Sequence, residues 1–288
     1  MVWVSVTCDT FAQTNLELIT VPEGPEVKRI TERINDFFQD TTLESIEVVV
    51  PRYGEKQLRG EVAEFQSALP LQIESVQCKG KFIYFTLENG WTVWNTLGMS
   101  GTWRKNKVKH TMLTFHTSAG KMHYKDMRRF GTFRFCSSAD EFEKKLSSLG
   151  PDILAEDISD ETFMYCMRRY PNRTVVQSLM DQKVLAGVGN YIKAEALYRA
   201  SISPHRVNSS LTDEELVRLN KETKWVIRAS YASRGARIST YELPDGSTGT
   251  YNFKFLVYRR KADPTGLRVV REQTRDKRTT HWVPERQH

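Results

Sequence analysis

Apolar residues recur at helical spacing in only part of this chain, and the first such stretch is the clearest. Between residues 25 and 38, Val27, Ile30, Ile34, Phe37 and Phe38 fall on one face while Lys28, Arg29, Thr31, Glu32 and Arg33 fill the other, which predicts an amphipathic helix. Pro25 in its first turn and the acids Glu23 and Glu26 at its mouth suit the free amides and the positive end of a helix. The period then shortens. Stretches 45–50, 72–77, 82–87, 91–95, 112–116 and 131–136 read as short strands separated by Gly, Pro or charged turns. Asn89-Gly90 between two of them predicts a hairpin. From Ser138 the spacing turns helical again, over 140–149, 160–170, 174–180, 190–199 and 212–230, with Asp, Ser or Thr at several of the starts. Past Gly235 the chain returns to short β-like pieces broken at Pro244-Asp245-Gly246 and Asp263-Pro264. The class is therefore α+β, and no internal repeat is present. The expected units are an extension over 1–21, a β-sandwich with a flanking helix over 22–136, a helical domain over 137–235, and a loop region with a terminal β-hairpin over 236–288.

Composition narrows the functional classes. The 288 residues hold 39% hydrophobic and 27% charged side chains, and no run approaches the ~20 apolar residues of a membrane-spanning helix. Lys and Arg exceed Asp and Glu by 42 to 35, a surplus that permits a polyanionic partner without requiring one. Residues 254–288 are more one-sided, with ten Lys/Arg against four Asp/Glu. The four cysteines, Cys8, Cys78, Cys136 and Cys166, show no CxxC spacing. That pattern fits reduced thiols rather than a disulfide framework or a zinc site. Residues 1–20 lack the basic start and long apolar stretch of a signal peptide, so a cytoplasmic location is expected, with no membrane partner.

Five segments carry the chemistry in order: Pro22-Glu23-Gly24-Pro25-Glu26, Lys79-Gly80-Lys81-Phe82-Ile83-Tyr84, Leu97-Gly98-Met99-Ser100-Gly101, Tyr124-Lys125-Asp126-Met127-Arg128-Arg129-Phe130-Gly131, and Leu185 to Leu197, reading LAGVGNYIKAEAL. Together they resemble the formamidopyrimidine-DNA glycosylase / endonuclease VIII family, and the resemblance runs from Pro22 to the end of the chain. Such proteins are bifunctional repair enzymes that excise oxidised bases and nick the abasic site left behind.

The resemblance implies roles for particular residues. Pro22 matches the family's N-terminal proline, whose amine attacks C1′ of the sugar. An α-amine titrates below a lysine, and a secondary amine at C1′ gives a cationic iminium that drains electrons from the sugar. Glu23 matches the general acid for the sugar ring oxygen, with Glu26 helping to hold the site. Lys81, read as the start of a strand, matches a lysine on the phosphate beside the lesion. Met99, Arg128 and Phe130 match the plug, cation and wedge that fill the gap left by a flipped nucleotide. Gly187, Gly189 and Asn190 match a helix–two-turn–helix, whose glycines and helix-start amides are expected to face a phosphate, and Glu195 supports that helix. Arg278 matches an arginine that grips the phosphate from a terminal hairpin. The partner implied is double-stranded, and by extension single-stranded, DNA carrying oxidised bases or abasic sites. No cofactor is implied, and a monomer is expected.

Two departures stand out. The family commonly ends in a four-cysteine zinc finger, yet no cysteine follows Cys166. His281 and His288 do not make a tetrahedral site. A zincless finger held by packing of Trp282 and Val283 is expected, with no metal. Secondly, Pro22 is not residue 1, and an amide nitrogen is no nucleophile. Val21 fits a bacterial start codon of the GTG kind, read as methionine and then trimmed, which frees Pro22; proteolysis is the other route. If Pro22 stays blocked, the alternative is a non-catalytic binder of damaged or abasic DNA. Substrate class stays open: LGMSG and RRFG look like the branch favouring oxidised purines, whereas GNYIKAEAL and the missing thiolates look like the branch favouring oxidised pyrimidines. The loop from Gly235 to Phe253 is the segment placed to cap a flipped base.

Overall fold

The computed structural model describes residues 21–236, 244 and 249–288. The extension expected over 1–21 and the base-capping loop therefore lie largely outside the described residues. Helix α1 (Gly24–Phe38) is followed by β1 (Thr41–Val48), α2 (Pro51–Gln57), β2 (Leu58–Gly60), α3 (Val62–Ala68), β3 (Leu71–Lys79), β4 (Phe82–Leu87), β5 (Thr92–Thr96), β6 (Gly101–Arg104), β7 (Thr111–Thr117), β8 (Gly120–Asp126) and β9 (Thr132–Cys136). These strands form one nine-stranded sheet in the order β2-β9-β5-β4-β3-β1-β7-β8-β6. The sheet doubles over on itself. Phe133 of β9 packs edge-on against Tyr124 of β8 at 4.8 Å and Trp103 of β6 at 5.8 Å between ring centroids, so strands distant in sheet order face each other across one core. Phe38 at the end of α1 inserts between Phe85, Trp103 and Phe115. Each such buried ring contributes on the order of 2–3 kcal/mol, so this cluster dominates the stability of the sandwich.

The expected hairpin forms between β4 and β5, which pair antiparallel, with Asn89 at φ 59° and Gly90 at φ 76° in the left-handed region that this turn demands. Strands β6 and β8 and helices α2 and α3 lie outside the segments expected from the pattern. In β8 the consecutive residues Met122, His123 and Tyr124 are all buried, as is Asp126, so polar residues hold buried positions and the alternation that would announce a strand is blurred.

The helical domain comprises α4 (Ala139–Ser147), α5 (Asp160–Arg168), α6 (Val175–Met180), α7 (Asn190–Arg199) and α8 (Asp213–Ala232). Ser138, Ser159 and Thr212 cap three of these, each side-chain oxygen accepting a backbone N–H of the first turn. Helix α7 is buried on every side from Tyr191 to Tyr198 and forms the axis on which the other parts converge. Helix α8 meets α1, where the Arg29 guanidinium lies 4.0 Å over the Tyr231 ring and donates to the Tyr231 carbonyl. The terminal hairpin joins β10 (Val270–Gln273) antiparallel to β11 (Thr279–Trp282). No described helix is long and apolar enough to cross a membrane.

Candidate active site

The start of α1 and the start of α7 meet head to head, and Glu23 occupies the junction. Its carboxylate accepts the Tyr191 N–H at 2.9 Å and the Ile192 N–H at 3.3 Å. The expected phosphate-facing amides of α7 are therefore turned to a carboxylate within the protein. Gly189 makes this possible, because a Cβ there would sit 2.1 Å from Cδ of Glu23. Its backbone is extended, so the glycine is needed for close approach and not for its dihedral freedom. Glu26 completes the junction. One of its oxygens accepts the Glu23 N–H at 2.9 Å, and the other accepts the Tyr191 hydroxyl at 3.0 Å and the Ala236 N–H at 2.6 Å. Glu26 thus ties Glu23 to α7 and to the beginning of the loop after α8.

Burial sets the charge states. It pushes the Glu23 carboxyl above the ordinary carboxylate range, against the pull of Lys81 and of the α7 amides. Burial, and then the neighbouring Glu23, raise Glu26 to about 7. Lys81 is lowered chiefly by desolvation, with Glu23 and Glu26 opposing. Two carboxyls raised above their ordinary range and an amine lowered below its own form an acid–base set.

Lys81, expected at the start of a strand, lies instead in the turn between β3 and β4. The Gly80 N–H in that turn donates to buried Asp152 at 2.7 Å, so Asp152, which the sequence did not single out, positions the lysine. Lys81 lines two cavities. The smaller, about 290 Å³, also includes Pro22, Lys79 and Lys145. The larger, about 730 Å³, includes Glu23, Met99, Asn190, Tyr258 and Arg278. Glu23 is the sole carboxylate among the described residues lining the larger one, against Lys81, Arg259, Arg260, Lys261, Arg268, Arg271 and Arg278. A cavity with that balance attracts a polyanion.

Residues 21–133 match the formamidopyrimidine-DNA glycosylase N-terminal domain, 149–242 its H2TH domain, and 245–288 its C-terminal domain. The chain belongs to the formamidopyrimidine-DNA glycosylase family. A formamidopyrimidine-DNA glycosylase of an Exiguobacterium strain is 30% identical over 276 residues, covering 92% of this chain and 98% of that protein. The crystal structure of the MutM (Fpg) protein from Thermus thermophilus superimposes with a TM-score of 0.82 at 30% identity, over 92% of this chain and 98% of that one. The Lactococcus lactis enzyme, solved bound non-covalently to DNA containing an abasic site, shares the fold with a TM-score of 0.80 at 23% identity, over 93% and 100% of the two chains.

Within this family fold, the remaining candidate residues line the larger cavity, stand on an exposed loop or, for Glu195, lie inside α7. Met99 is half-buried in the turn before β6 and faces the larger cavity. Arg128 and Phe130 are exposed on the neighbouring loop, with the guanidinium 5.3 Å over the ring centroid and Phe130 53% exposed. Met127 beside them is 43% exposed, so the loop tip presents apolar and cationic side chains together. Asn190 sits at the start of α7, where its side-chain amide donates to the Thr279 carbonyl of β11 at 2.9 Å while its oxygen is buried with no hydrogen-bond partner among the described residues. Arg278 is exposed at the end of the hairpin turn and lines the cavity. Glu195 is fully buried in α7 and accepts the N–H groups of Leu256, Val257 and Tyr258 at 2.7–3.0 Å, which anchors the chain entering the C-terminal region.

Packing of Val283 and Trp282 is only part of what holds the terminal hairpin. Val283 is fully buried, whereas Trp282 is half-exposed and stacks edge-on with His205. The stronger ties run to α7. Lys193 pairs with Asp276 at 2.6 Å, both side chains almost completely buried, and Tyr198 donates to Asp263 at 2.8 Å. Asp263 in turn accepts the N–H groups of Thr265 and Leu267 and so closes the knuckle ahead of β10. Among the described residues no group of three or more His, Cys, Asp or Glu side chains could hold a metal. The sequence could flag Asp263 and Asp276 only as turn acids; their partners lie 65 and 83 residues away.

Proposed function

We propose that this protein is a bifunctional DNA glycosylase and abasic-site lyase, acting on oxidised bases through a Schiff base at Pro22 and cutting the strand by β,δ-elimination. The observation carrying this reading is the Glu23 carboxyl, held by two α7 amides directly after Pro22, on the wall of a cavity whose other Lys, Arg, Asp and Glu side chains, among the described residues, are all cations. The DNA complexes solved for the Lactococcus lactis relative support DNA carrying lesions or abasic sites as the partner.

In this reading the Pro22 amine attacks C1′ and displaces the base, which leaves with its bonding pair and takes up the proton that the proline nitrogen sheds; the bond from C1′ to the ring oxygen then breaks as Glu23 gives its proton to that oxygen. The nitrogen lone pair now forms the C1′ iminium, which acidifies the C2′ proton. Loss of that proton expels the 3′ phosphate, and a second elimination expels the 5′ phosphate. Lys81, Asn190 and Arg278 hold the backbone phosphates around the extruded nucleotide, and Met99, Arg128 and Phe130 occupy the vacated stack. The amine must be free, so the active form begins at Pro22, with residues 1–21 absent.

The test is a panel of matched duplexes, each carrying one oxidised purine or pyrimidine, incubated with the chain starting at Pro22. Base loss and nicks ending in phosphate on both sides are expected. Tight binding to abasic DNA with no base loss and no nick would make the protein a damage-binding protein and overturn the enzymatic reading. The same duplexes read the electrostatics. Arg278→Ala should weaken binding across all sequences and flatten the plot of log affinity against log salt by about one unit, the signature of one lost phosphate contact. An unchanged slope and affinity would remove Arg278 from the interface.

A further inference from the structure

Asp126 is a fully buried carboxylate at the end of β8, away from the acids of the active site. Each of its oxygens holds a different loop. One accepts the Ser100 hydroxyl at 2.5 Å, and the other accepts the Gly131 N–H at 2.8 Å. Ser100, itself buried, also accepts the Arg128 N–H at 2.8 Å. The turn carrying Met99 and the loop carrying Arg128 and Phe130 are thus joined by a continuous chain of hydrogen bonds through one carboxylate. Backbone contact reinforces the join. Gly98, at φ +58°, lies so close to the second loop that a Cβ would come within 2.6 Å of the Phe130 carbonyl carbon. From the far side the Tyr53 hydroxyl donates to the Gly131 carbonyl at 2.9 Å. A buried carboxylate is costly unless its lone pairs are filled, and here each oxygen accepts a hydrogen bond from one of the two loops.

We infer that Asp126 and Ser100 are positioning residues that make Met99, Arg128 and Phe130 one rigid insert, so that plug, cation and wedge enter the duplex together. This rests on the gap-filling part of the function proposed above. Neither residue touches the reacting atoms. Loosening the clamp lets the loops move independently, and a misplacement of about 1 Å in a positioning element costs up to about 100-fold in rate.

The experiment uses Ser100→Ala and Asp126→Asn in the chain starting at Pro22. Hydrogen exchange without DNA reads the clamp itself: the Arg128 amide should exchange about tenfold faster in Ser100→Ala, which removes its acceptor, and the Gly131 amide about tenfold faster in Asp126→Asn, which leaves one acceptor oxygen for two donors, with the amides of β4 and β5 unchanged. Single-turnover excision from a lesion duplex should fall about tenfold or more, while nicking of a pre-formed abasic site in a single strand, where no stack has to be filled, stays within about twofold. Ser100→Ala should cost less when added to Phe130→Ala than it does in the otherwise unchanged chain, because the wedge it would misplace is already gone. Unchanged exchange at Arg128 and Gly131, or equal losses on duplex and single strand, would overturn the clamp. If Phe130→Ala alone leaves duplex excision intact, the gap-filling reading fails by itself, and the exchange data still decide whether the two loops are coupled.

Discussion

Borohydride added to an abasic duplex and the chain beginning at Pro22 should leave protein and DNA covalently joined. The iminium between the proline nitrogen and C1′ carries a C=N bond that hydride reduces to a stable amine. The chain that still carries residues 1–21 should give only background, because the Pro22 nitrogen is then an amide whose lone pair is delocalised into the preceding carbonyl. The contrast is all-or-none, which makes it the largest effect expected here. Lys81 is the rival nucleophile: it lies beside Glu23, and burial lowers its pKa, which frees a fraction of its amine. Lys81→Ala in the Pro22-start form must therefore still trap. Equal trapping by the long and short chains would move the chemistry from the proline to a lysine.

Glu23→Gln should retain DNA binding and lose about 10²–10⁴-fold in base excision, the range for removing a positioned general acid. Glutamine fills the same volume and can still accept one of the two α7 amides, so one N–H loses its partner at a cost of about 1 kcal/mol in stability. The catalytic loss should exceed that by several-fold in free energy. Nicking of a pre-formed abasic site should suffer less, because no base has to leave. The pH profile supplies a second check. Burial raises the Glu23 pKa, so the protonated acid persists to higher pH than for an exposed glutamate, and wild-type excision should decline on the alkaline side as that proton is lost. The variant should lack this alkaline limb. A Glu23→Gln protein that excises at the wild-type rate would leave the ring oxygen to be protonated by another group, with Glu26 the nearest candidate.

Most of the fold was legible where one face of an element is apolar. The amphipathic pattern of α1 and the Asn89-Gly90 turn each report a local requirement, and the sequence carries local requirements in full. What escaped has a common cause. Strand β8 buries Asp126 and His123, α7 buries Lys193 and Glu195, and Asp152 is buried under the Gly80–Lys81 turn. A charged letter reads as solvent-facing unless its partner is known, and Ser100 of Asp126, Asp276 of Lys193 and Gly80 of Asp152 lie 26, 83 and 72 residues away. The glycines of the α7 entry show the converse. Their presence announced a close approach, and the resemblance named a phosphate as its object; Gly189 makes room for the Glu23 side chain. The candidate active-site residues gather around the junction of α1 and α7 and the larger cavity, while Arg128 and Phe130 stand apart on a loop.

The attachment of the terminal hairpin bears on the circumstances in which such a protein works. Oxidised bases arise under oxidant stress, and thiolates are among the first side chains that stress consumes. A finger organised by four zinc-bound thiolates can lose metal and shape together in those conditions. Here the hairpin bearing Arg278 is fastened to α7 by the Lys193–Asp276 pair, the Tyr198–Asp263 hydrogen bond and the Asn190 amide. Peroxide has little to attack in ammonium, carboxylate and amide groups, and a chelator has nothing to remove from them. The part of the molecule that would hold the phosphate backbone is thereby insulated from oxidants and chelators alike.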